Sequence, residues 1–479
     1  MRSIANATTP YVLAIVLAAI FAVFIWQDTS LLTLFPIGLL LVYFAIYQTE
    51  KVFISLAFLT PLSVNIEEFT QSFGLFLPTE PLLFGMMLLL VAMEIQSPFL
   101  KKEIWRNPII HAVLFYILII IITAITSSHQ LVSFKFLLAR LWFIVPILIF
   151  GTHFFQKEKN RMQFLWLFII ATCIAIVYSL IHHSLYGFGE KEGHWVMWPL
   201  FKDHTIYGAI VALVLPLVIA IYFAEKHSPL TQAVLILLII IVLVGLYYSY
   251  TRAAWLSIIC AAIVCLVVYY RINFKILAGI GLVALIVIFF KWDQIQMELG
   301  RNKYEHTTES FDERLQSATN VTTDASNLER INRWSCAIAM FEQRPIFGYG
   351  PGTYAFEYAP FQEPENLTII STNFGDMGNA HSEYLGALAE MGIFGLISLL
   401  GIVVAIFFSM ITLYNKLPLS ETKNRVLLMG MIAATTTYFV HAFLNNFLDT
   451  DKAAVPIWAM CSMVIIMGIQ LNNKTIRKS

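Results

Sequence analysis

The stretch AVLILLIIIVLVGLYY, residues 233–248, contains no charged side chain. A helix needs about 20 apolar residues to cross a hydrocarbon core of ~30 Å, and a soluble helix is rarely apolar on every face. A second run, ILAGIGLVALIVIFF at residues 276–290, has the same character. These two stretches predict helices that span a membrane.

The rest of the chain follows the same pattern. Of the 479 residues, 59% are hydrophobic and only 13% are charged, which excludes an ordinary soluble domain. The formal net charge is zero, so the composition indicates neither a nucleic-acid partner nor a polybasic surface. The five cysteines show no disulfide or metal-binding spacing and are interpreted as small core residues.

Fourteen apolar segments occur in the chain. They lie near residues 10–26, 31–48, 51–64, 81–97, 108–126, 136–155, 162–181, 205–223, 230–247, 253–270, 275–291, 384–413, 425–445 and 454–470. The first lacks a small-residue cleavage site and is interpreted as a retained helix rather than a signal peptide. We therefore predict an all-α, polytopic membrane protein with about 12–14 transmembrane helices.

Lysine and arginine counts predict the orientation, because cytoplasmic loops carry an excess of them. With the N-terminus inside, the short outer loops hold only Lys135, Lys191, Lys202, Arg252 and Lys452. Both termini are then cytoplasmic. We predict three regions: N-terminal transmembrane helices at 1–291, a large periplasmic loop at 292–380, and C-terminal transmembrane helices at 381–479.

The large loop contains a predicted amphipathic helix at 326–344. SNLE, residues 326–329, has the pattern of a capping box, in which Ser326 is the N-cap and Glu329 the third residue. Apolar residues at 331, 334, 338 and 341 then form a stripe that can lie on the membrane surface or on the protein. FGYGPG, residues 347–352, follows and indicates either an ordinary turn after a helix or a backbone that approaches a ligand.

Ionisable residues near the predicted outer surface are candidates for a site. His381 is predicted in the first turn of the twelfth segment, where the positive end of the helix favours the neutral, basic imidazole. Glu390 lies deeper in that segment and needs a partner or a proton. Arg252 and Arg140 are either arginines that snorkel to the interface or, together with Arg330, a cluster suited to phosphate oxygens.

Three stretches resemble, in order and spacing, the shared core of the O-antigen ligase and O-antigen polymerase superfamily. They are TRAAWLS (251–257), ERINRWSCAIAMFEQRPIFGYGPGTY (329–354) and NAHSEYLGALAEMGIFGL (379–396). The resemblance covers about residues 240–410. It implies a GT-C-like helical architecture in the bacterial inner membrane and a glycosyltransferase that uses no metal and no cofactor.

The resemblance also implies the reaction and its residues. A glycan would pass from an undecaprenyl diphosphate carrier to an acceptor hydroxyl at the periplasmic face, as in lipopolysaccharide assembly, with lipid A core as the acceptor of a ligase. The implied catalytic residues are His381, Arg330 and Arg252. Further contacts to the diphosphate or glycan are assigned to Arg140, Lys202, His204, Arg333, Tyr349 and Glu383, and no residue is assigned to a metal.

Other functions stay open at this point. A repeat-unit polymerase and a protein O-oligosaccharyltransferase would use the same donor chemistry with a different acceptor. A lipid or glycan transporter is the alternative from another class, and it would require ionisable residues near the middle of several helices. The mid-helix candidates are few, chiefly Glu94, Glu390 and His441.

Overall fold

The computed structural model describes residues 43–44, 46–67, 74–96, 102–272, 291, 325–362 and 378–476. Thirteen α-helices occur in this part of the chain. They are α1 (Thr49–Leu62), α2 (Thr79–Gln96), α3 (Pro108–Ile125), α4 (Gln130–Phe154), α5 (Glu158–Ser184), α6 (His204–Ala224), α7 (Pro229–Tyr247), α8 (Arg252–Tyr269), α9 (Ala325–Gln343), α10 (Tyr354–Glu357), α11 (Glu383–Lys416), α12 (Thr422–His441) and α13 (Asp451–Ile476).

The protein is a multi-pass helical membrane protein, as predicted. Within the described residues, nine helices are long and apolar enough to cross a membrane: α2 to α8, α11 and α13. Two-residue strands β1 (Val64–Asn65) and β2 (Phe76–Leu77) form an antiparallel pair between α1 and α2. The all-α class is therefore confirmed, apart from this short pair.

The predicted segments can be compared with the helices. Those near 10–26, 31–48 and 275–291 lie largely or wholly outside the described residues, and each of the others contains a helix. The helix α12 is less apolar than the nine because it carries a run of threonines at 435–437, yet it is almost wholly buried and packs mainly against α6 and α8. Most of the loop predicted at 292–380 also lies outside the described residues, so the three-region division stays a prediction.

Several helix ends meet at one end of the bundle, which we call the site end. The start of α11 contacts the end of α12, since Glu383 N–H donates to the Ala442 carbonyl at 2.9 Å. The start of α8 contacts the start of α6, since Thr251 Oγ1 donates to the His204 carbonyl at 2.8 Å. Candidate residues from distant parts of the sequence are thereby brought to the same end.

Ion pairs join helix ends at the opposite end of the bundle. Lys423 at the start of α12 pairs with Glu158 at 2.8 Å and with Glu225 at 2.7 Å. Lys157, just before α5, pairs with Glu50 at 2.9 Å. Because these side chains are partly exposed, each pair contributes little to stability by itself.

Candidate active site

His381 lies just before α11 rather than inside it. Ser382 is the N-cap and accepts a hydrogen bond from Leu385 N–H at 3.3 Å, so the helix begins at Glu383. The prediction that His381 lies in the first helical turn is therefore wrong by two residues. Its backbone has φ of 47°, in the left-handed region, and is held by Asn379 Oδ1, which accepts from its N–H at 2.9 Å.

The charges around His381 favour a neutral imidazole. The pKa of His381 is lowered to about 4, chiefly by burial and in addition by the positive charges of Arg330 and Arg333, whereas Glu329 and Asp203 act in the opposite direction. The imidazole is thus neutral at pH 7, as the sequence predicts, although burial and arginines are the causes rather than the helix end.

The helix α9 carries Arg330, and the face that it buries is not the apolar stripe, which leaves the membrane-surface alternative for that stripe. The buried side chains are Glu329, Asn332, Arg333, Cys336, Ala337 and Met340, which recur at helical spacing. The predicted stripe at 331, 334, 338 and 341 lies on another face, and Ile338 is 45% exposed. Polar Asn332 and Arg333 can be buried on this face beside the apolar residues because both find partners within the protein.

Those partners hold Arg333 in place. Its Nε donates to Glu329 Oε1 at 2.6 Å, and its guanidinium lies 4.1 Å from the ring centre of Tyr358. Glu329 therefore pairs with Arg333, and α9 begins at Ala325, one residue before the predicted N-cap position. Arg333 contributes positive charge to the site from a fixed position.

A second histidine lies at the end of α12. His441 is fully buried, and its Nδ1 lies 3.3 Å from Asn445 Nδ2. Its Nε2 has no hydrogen-bond partner among the described residues. The charges that act on His441 include Arg330 and Asp203, which also act on His381. Arg330 therefore lies close enough to influence both imidazoles.

The starts of α6 and α8 complete this group. Asp203 is the N-cap of α6 and accepts from Thr205 N–H at 2.8 Å and from Ile206 N–H at 3.1 Å. His204 follows it, and the carbonyl of His204 accepts the bond from Thr251 described above. Arg252, the first residue of α8, is thus held beside the first residue of α6.

Arg140 lies on α4, and Glu383 is the first residue of α11. Both are buried, and Arg140 Nη2 lies 3.9 Å from Glu383 Oε2. The other carboxylate oxygen of Glu383 accepts from Tyr438 Oη at 3.0 Å and from Leu448 N–H at 2.7 Å. Glu383 thus joins α11, α12 and the loop after α12, so its clearest role is to position these elements.

The glycine-rich turn at 347–352 binds a carboxylate of the chain itself. Gly352 N–H donates to Glu390 Oε2 at 2.9 Å, and Tyr354 N–H donates to Glu390 Oε1 at 3.1 Å. Tyr349 is covered by the guanidinium of Arg344, 4.4 Å from its ring centre. Glu390 therefore has the hydrogen-bond partners that a carboxylate inside a helix needs. These bonds favour the interpretation of residues 347–352 as an ordinary turn after α9.

Two cavities lie beside these residues. The smaller, of about 210 Å³, is lined by Arg140, Glu383 and Glu390 among others, and the larger, of about 690 Å³, by Lys202 and Asp203 among others. Asn379, Asn446 and Asp449 line both, so the two cavities adjoin.

Asp449 was missed in the sequence. It lies in NNFLD, residues 445–449, a short loop between two apolar helices, and the one signal was this polar cluster between predicted spans. Asp449 is accessible within both cavities although protein surrounds it. Burial raises the pKa of its carboxyl, and the nearby Arg140 and Lys202 oppose that rise.

The chain is similar to one known protein family. A search of curated proteins found no match. Among the described residues, no group of three or more His, Cys, Asp or Glu side chains is arranged to hold a metal ion. Residues 236–400 match the family model described as O-Antigen ligase, a range that includes Arg252, Arg330 and His381. This part of the chain, from α7 into α11, therefore carries an O-antigen ligase family domain.

Proposed function

We propose that the protein is a glycosyltransferase that moves a glycan from an undecaprenyl diphosphate carrier to an acceptor hydroxyl, as an O-antigen ligase does in lipopolysaccharide assembly. The observation that carries this proposal is the position of His381 against α9, the helix of Arg330 and Arg333: Trp334 Nε1 donates to the His381 carbonyl at 3.4 Å, and both arginine charges act on the imidazole. The family match, whose members are glycosyltransferase-like enzymes, supports the same chemistry.

In the proposed reaction, the acceptor oxygen attacks the anomeric carbon of the donor sugar. A bond forms between that oxygen and carbon as the bond from carbon to phosphate oxygen breaks, and undecaprenyl diphosphate leaves with the electron pair. His381 takes the proton of the acceptor hydroxyl, a step that typically contributes ~10²–10⁴ in rate. Arg330 and Arg252 stabilise the charge that develops on the diphosphate oxygen.

The lowered pKa of His381 gives the site an order of events. Before the donor binds, Arg330 and Arg333 oppose protonation of the imidazole. A diphosphate bound beside these arginines neutralises part of their charge, so the pKa of His381 rises and the imidazole becomes a stronger base. Donor binding therefore activates the base at the moment when the acceptor requires it.

The proposal includes the location of the site. We place the protein in the bacterial inner membrane with both termini cytoplasmic and the site end at the periplasmic face. The lysine and arginine distribution supports this orientation, because Lys157 and Lys423 form their ion pairs at the opposite end. The carrier's tail would stay in the bilayer while its diphosphate reaches the site end.

A polymerase or a protein O-oligosaccharyltransferase would use the same donor residues, and the acceptor distinguishes them. Loss of the protein from cells should lead to accumulation of undecaprenyl-linked polymer for a ligase, or of single repeat units for a polymerase. A transporter is less well supported, because Glu390, one of the few mid-helix candidates, is held by the backbone N–H groups of Gly352 and Tyr354.

The proposal is tested by replacing Arg252, Arg330 and His381 with alanine, one at a time. Each change should reduce glycan transfer by at least ~10²-fold while the protein stays in the membrane. Arg106→Ala, an exposed arginine at the opposite end, is the matched control and should transfer normally. Mass spectrometry of undecaprenyl-linked glycans provides the readout, and full activity in any two of the three variants would exclude the assignment.

A further inference from the structure

The walls of the two adjoining cavities contain polar atoms that have no partner among the described residues. These atoms are Arg140 Nε, Trp142 Nε1 and Asn446 Oδ1. Arg140 is only 7% exposed, and a buried donor without an acceptor costs free energy unless a bound molecule or water supplies one. Two donors and one acceptor in residues that line the cavities are therefore left without a partner, beside space that a polar ligand can fill.

The charges of the lining disfavour an anion in this space. The larger cavity is lined by Glu67, Glu80, Asp203 and Asp449 against Lys135 and Lys202. The smaller is lined by Glu383, Glu390 and Asp449 against Arg140. Carboxylates outnumber cations in both, so a diphosphate would be repelled, whereas a neutral molecule with many hydroxyl groups would not.

The shape and composition of the larger cavity favour a sugar. Its volume of about 690 Å³ lies within the usual range of ligand pockets, ~300–1,000 Å³. Trp142 and Phe447 provide apolar rings, and Asn446 and Asp449 provide polar groups beside them. A sugar hydroxyl both donates and accepts hydrogen bonds, so hydroxyl groups match both kinds of unpaired atom, the donor Trp142 Nε1 and the acceptor Asn446 Oδ1.

The cavities also adjoin the proposed reaction centre. Asp203 lines the larger cavity, and its charge acts on His381. Asn379 lines both cavities, and its side chain accepts from the backbone N–H of His381. A sugar bound there would lie beside the base and next to the arginines proposed to hold the diphosphate.

We propose that the two adjoining cavities bind a pyranose sugar through Arg140, Trp142, Asn446 and Asp449, an inference that rests on the proposed glycosyltransferase function. Arg140 is thereby assigned to sugar rather than to diphosphate. The sugar belongs either to the glycan on the carrier or to the acceptor, and both present the same ring hydroxyls.

The experiment compares binding of three probes to the full chain in lipid nanodiscs. The probes are undecaprenyl diphosphate, the same carrier bearing one N-acetylglucosamine, and soluble glucose or N-acetylglucosamine added after the bare carrier. The variants are Asp449→Asn, which keeps the size of the side chain but removes the charge, and Trp142→Phe, which keeps an aromatic ring but removes the indole N–H. Glu357→Gln is the matched control, a carboxylate that pairs with His129 at the site end and lines neither cavity.

We expect the bare carrier to bind wild type and both variants equally. If the cavities bind the donor sugar, the carrier with N-acetylglucosamine should bind wild type more tightly than the bare carrier does. In each variant the affinity for this glycosylated carrier should fall by about tenfold, as expected for one lost hydrogen bond. For an acceptor sugar, the soluble sugars should bind wild type, and the variants should lose that binding.

Three outcomes would overturn the inference. Wild type could show no sugar-dependent binding with either kind of probe, the variants could bind every probe as wild type does, or they could lose the bare carrier to the same degree. Thermal unfolding checks that each variant is folded. If one of the two variants is unfolded, the other variant decides the test. Failure of wild type to bind the bare carrier, or unchanged carrier binding in Arg330→Ala, would instead contradict the proposed function.

Discussion

His381 shows at the scale of a residue how burial and charge together prepare a group for a reaction. The imidazole is neutral because burial and two arginines destabilise its protonated form. Its position before Ser382, the N-cap of α11, depends on a left-handed backbone and on Asn379. A histidine two residues later would belong to the helix and would not have these partners.

The pH dependence of transfer follows from the lowered pKa. A base acts when it is neutral, so activity is lost as the pH falls through the pKa of the group. In the free enzyme, kcat/KM should persist well below pH 6.5, towards the pKa of about 4, whereas kcat should begin to fall at a higher pH because the bound diphosphate raises the pKa. Initial rates between pH 4.5 and 8 show whether kcat/KM persists over this range and where kcat begins to fall.

The control for that measurement is the unfolding temperature at each pH. An unfolded His381 binds a proton below about pH 6.5, while the folded one does not until about pH 4, so stability falls as the pH decreases through this window. Rates should therefore be compared only where the protein is folded. A kcat/KM limb centred near pH 6.5 would contradict the assigned environment of His381.

Single residues were only partly predictable from the sequence. Their place near the predicted outer surface makes Arg252, Arg330 and His381 candidates, and the family resemblance implies their roles, but neither indicates the burial that lowers the pKa of His381. Asp449 was missed because a carboxylate in a short loop has no local pattern, and its importance arises from contact with the cavities formed by distant helices. Such proximity depends on tertiary packing.

At the scale of elements, α9, the glycine-rich turn and α11 form one interlocked unit. Gly348 has φ of 63°, and a Cβ there would lie 2.4 Å from the backbone of Glu390. Gly392 interrupts α11 with φ of 64°, and a Cβ there would lie 2.4 Å from the Ile346 carbonyl oxygen. Both positions require glycine because backbone, which cannot move aside cheaply, occupies the space.

Gly348→Ala and Gly392→Ala should each displace the turn from α11. Because α9 carries Arg330 and precedes the turn, we expect transfer to fall by at least ~10-fold and the free energy of unfolding to fall by ~1–3 kcal/mol from backbone strain. Gly401→Ala is the matched control on the same helix, since nothing lies within 4 Å of its added Cβ, and it should be neutral or slightly stabilising. Transfer assays and thermal unfolding measure the two effects, and wild-type behaviour of both variants would contradict the interlocking.

Elements were more predictable than residues. Long apolar runs indicated α3, α5 and α7 to within a few residues, because lipid solvation acts on the composition of a whole segment. The sequence leaves open whether the stripe at 331–341 faces the membrane or the protein, and the structure buries Asn332 and Arg333 with their own partners while Ile338 stays exposed. Hydrophobic periodicity alone does not predict a buried face on which polar residues find partners within the protein.

At the scale of the whole molecule, a buried lysine joins the first described helix to the last. Lys452 is 1% exposed, and its Nζ donates to the Thr60 and Ser63 carbonyls and to Ser63 Oγ, each at 2.7 Å. Asp451 beside it accepts from Ser63 Oγ at 2.5 Å. The start of α13 is thus held at the end of α1 by a buried ammonium group that donates three hydrogen bonds.

Lys452→Met should destabilise the whole protein. The change keeps most of the side-chain volume but leaves the Asp451 carboxylate and two carbonyls without the cation, for which we expect a loss of ~3–5 kcal/mol in the free energy of unfolding. Lys474→Met, near the other end of α13, is the matched control because its side chain is 65% exposed and its pair with Glu421 is worth little. Denaturant unfolding in micelles compares the two, and equal stability would exclude this role for Lys452.

The contact between α1 and α13 has a consequence for biogenesis. The partners of Lys452 enter the bilayer early in translation, whereas Lys452 itself emerges after most of the chain has been made. Asp449, which lines both cavities, lies in the connection just before α13 and emerges with it. A chain whose synthesis stops before α13 would therefore contain Arg252, Arg330 and His381 but would lack the contact between α1 and α13 and one wall of the cavities.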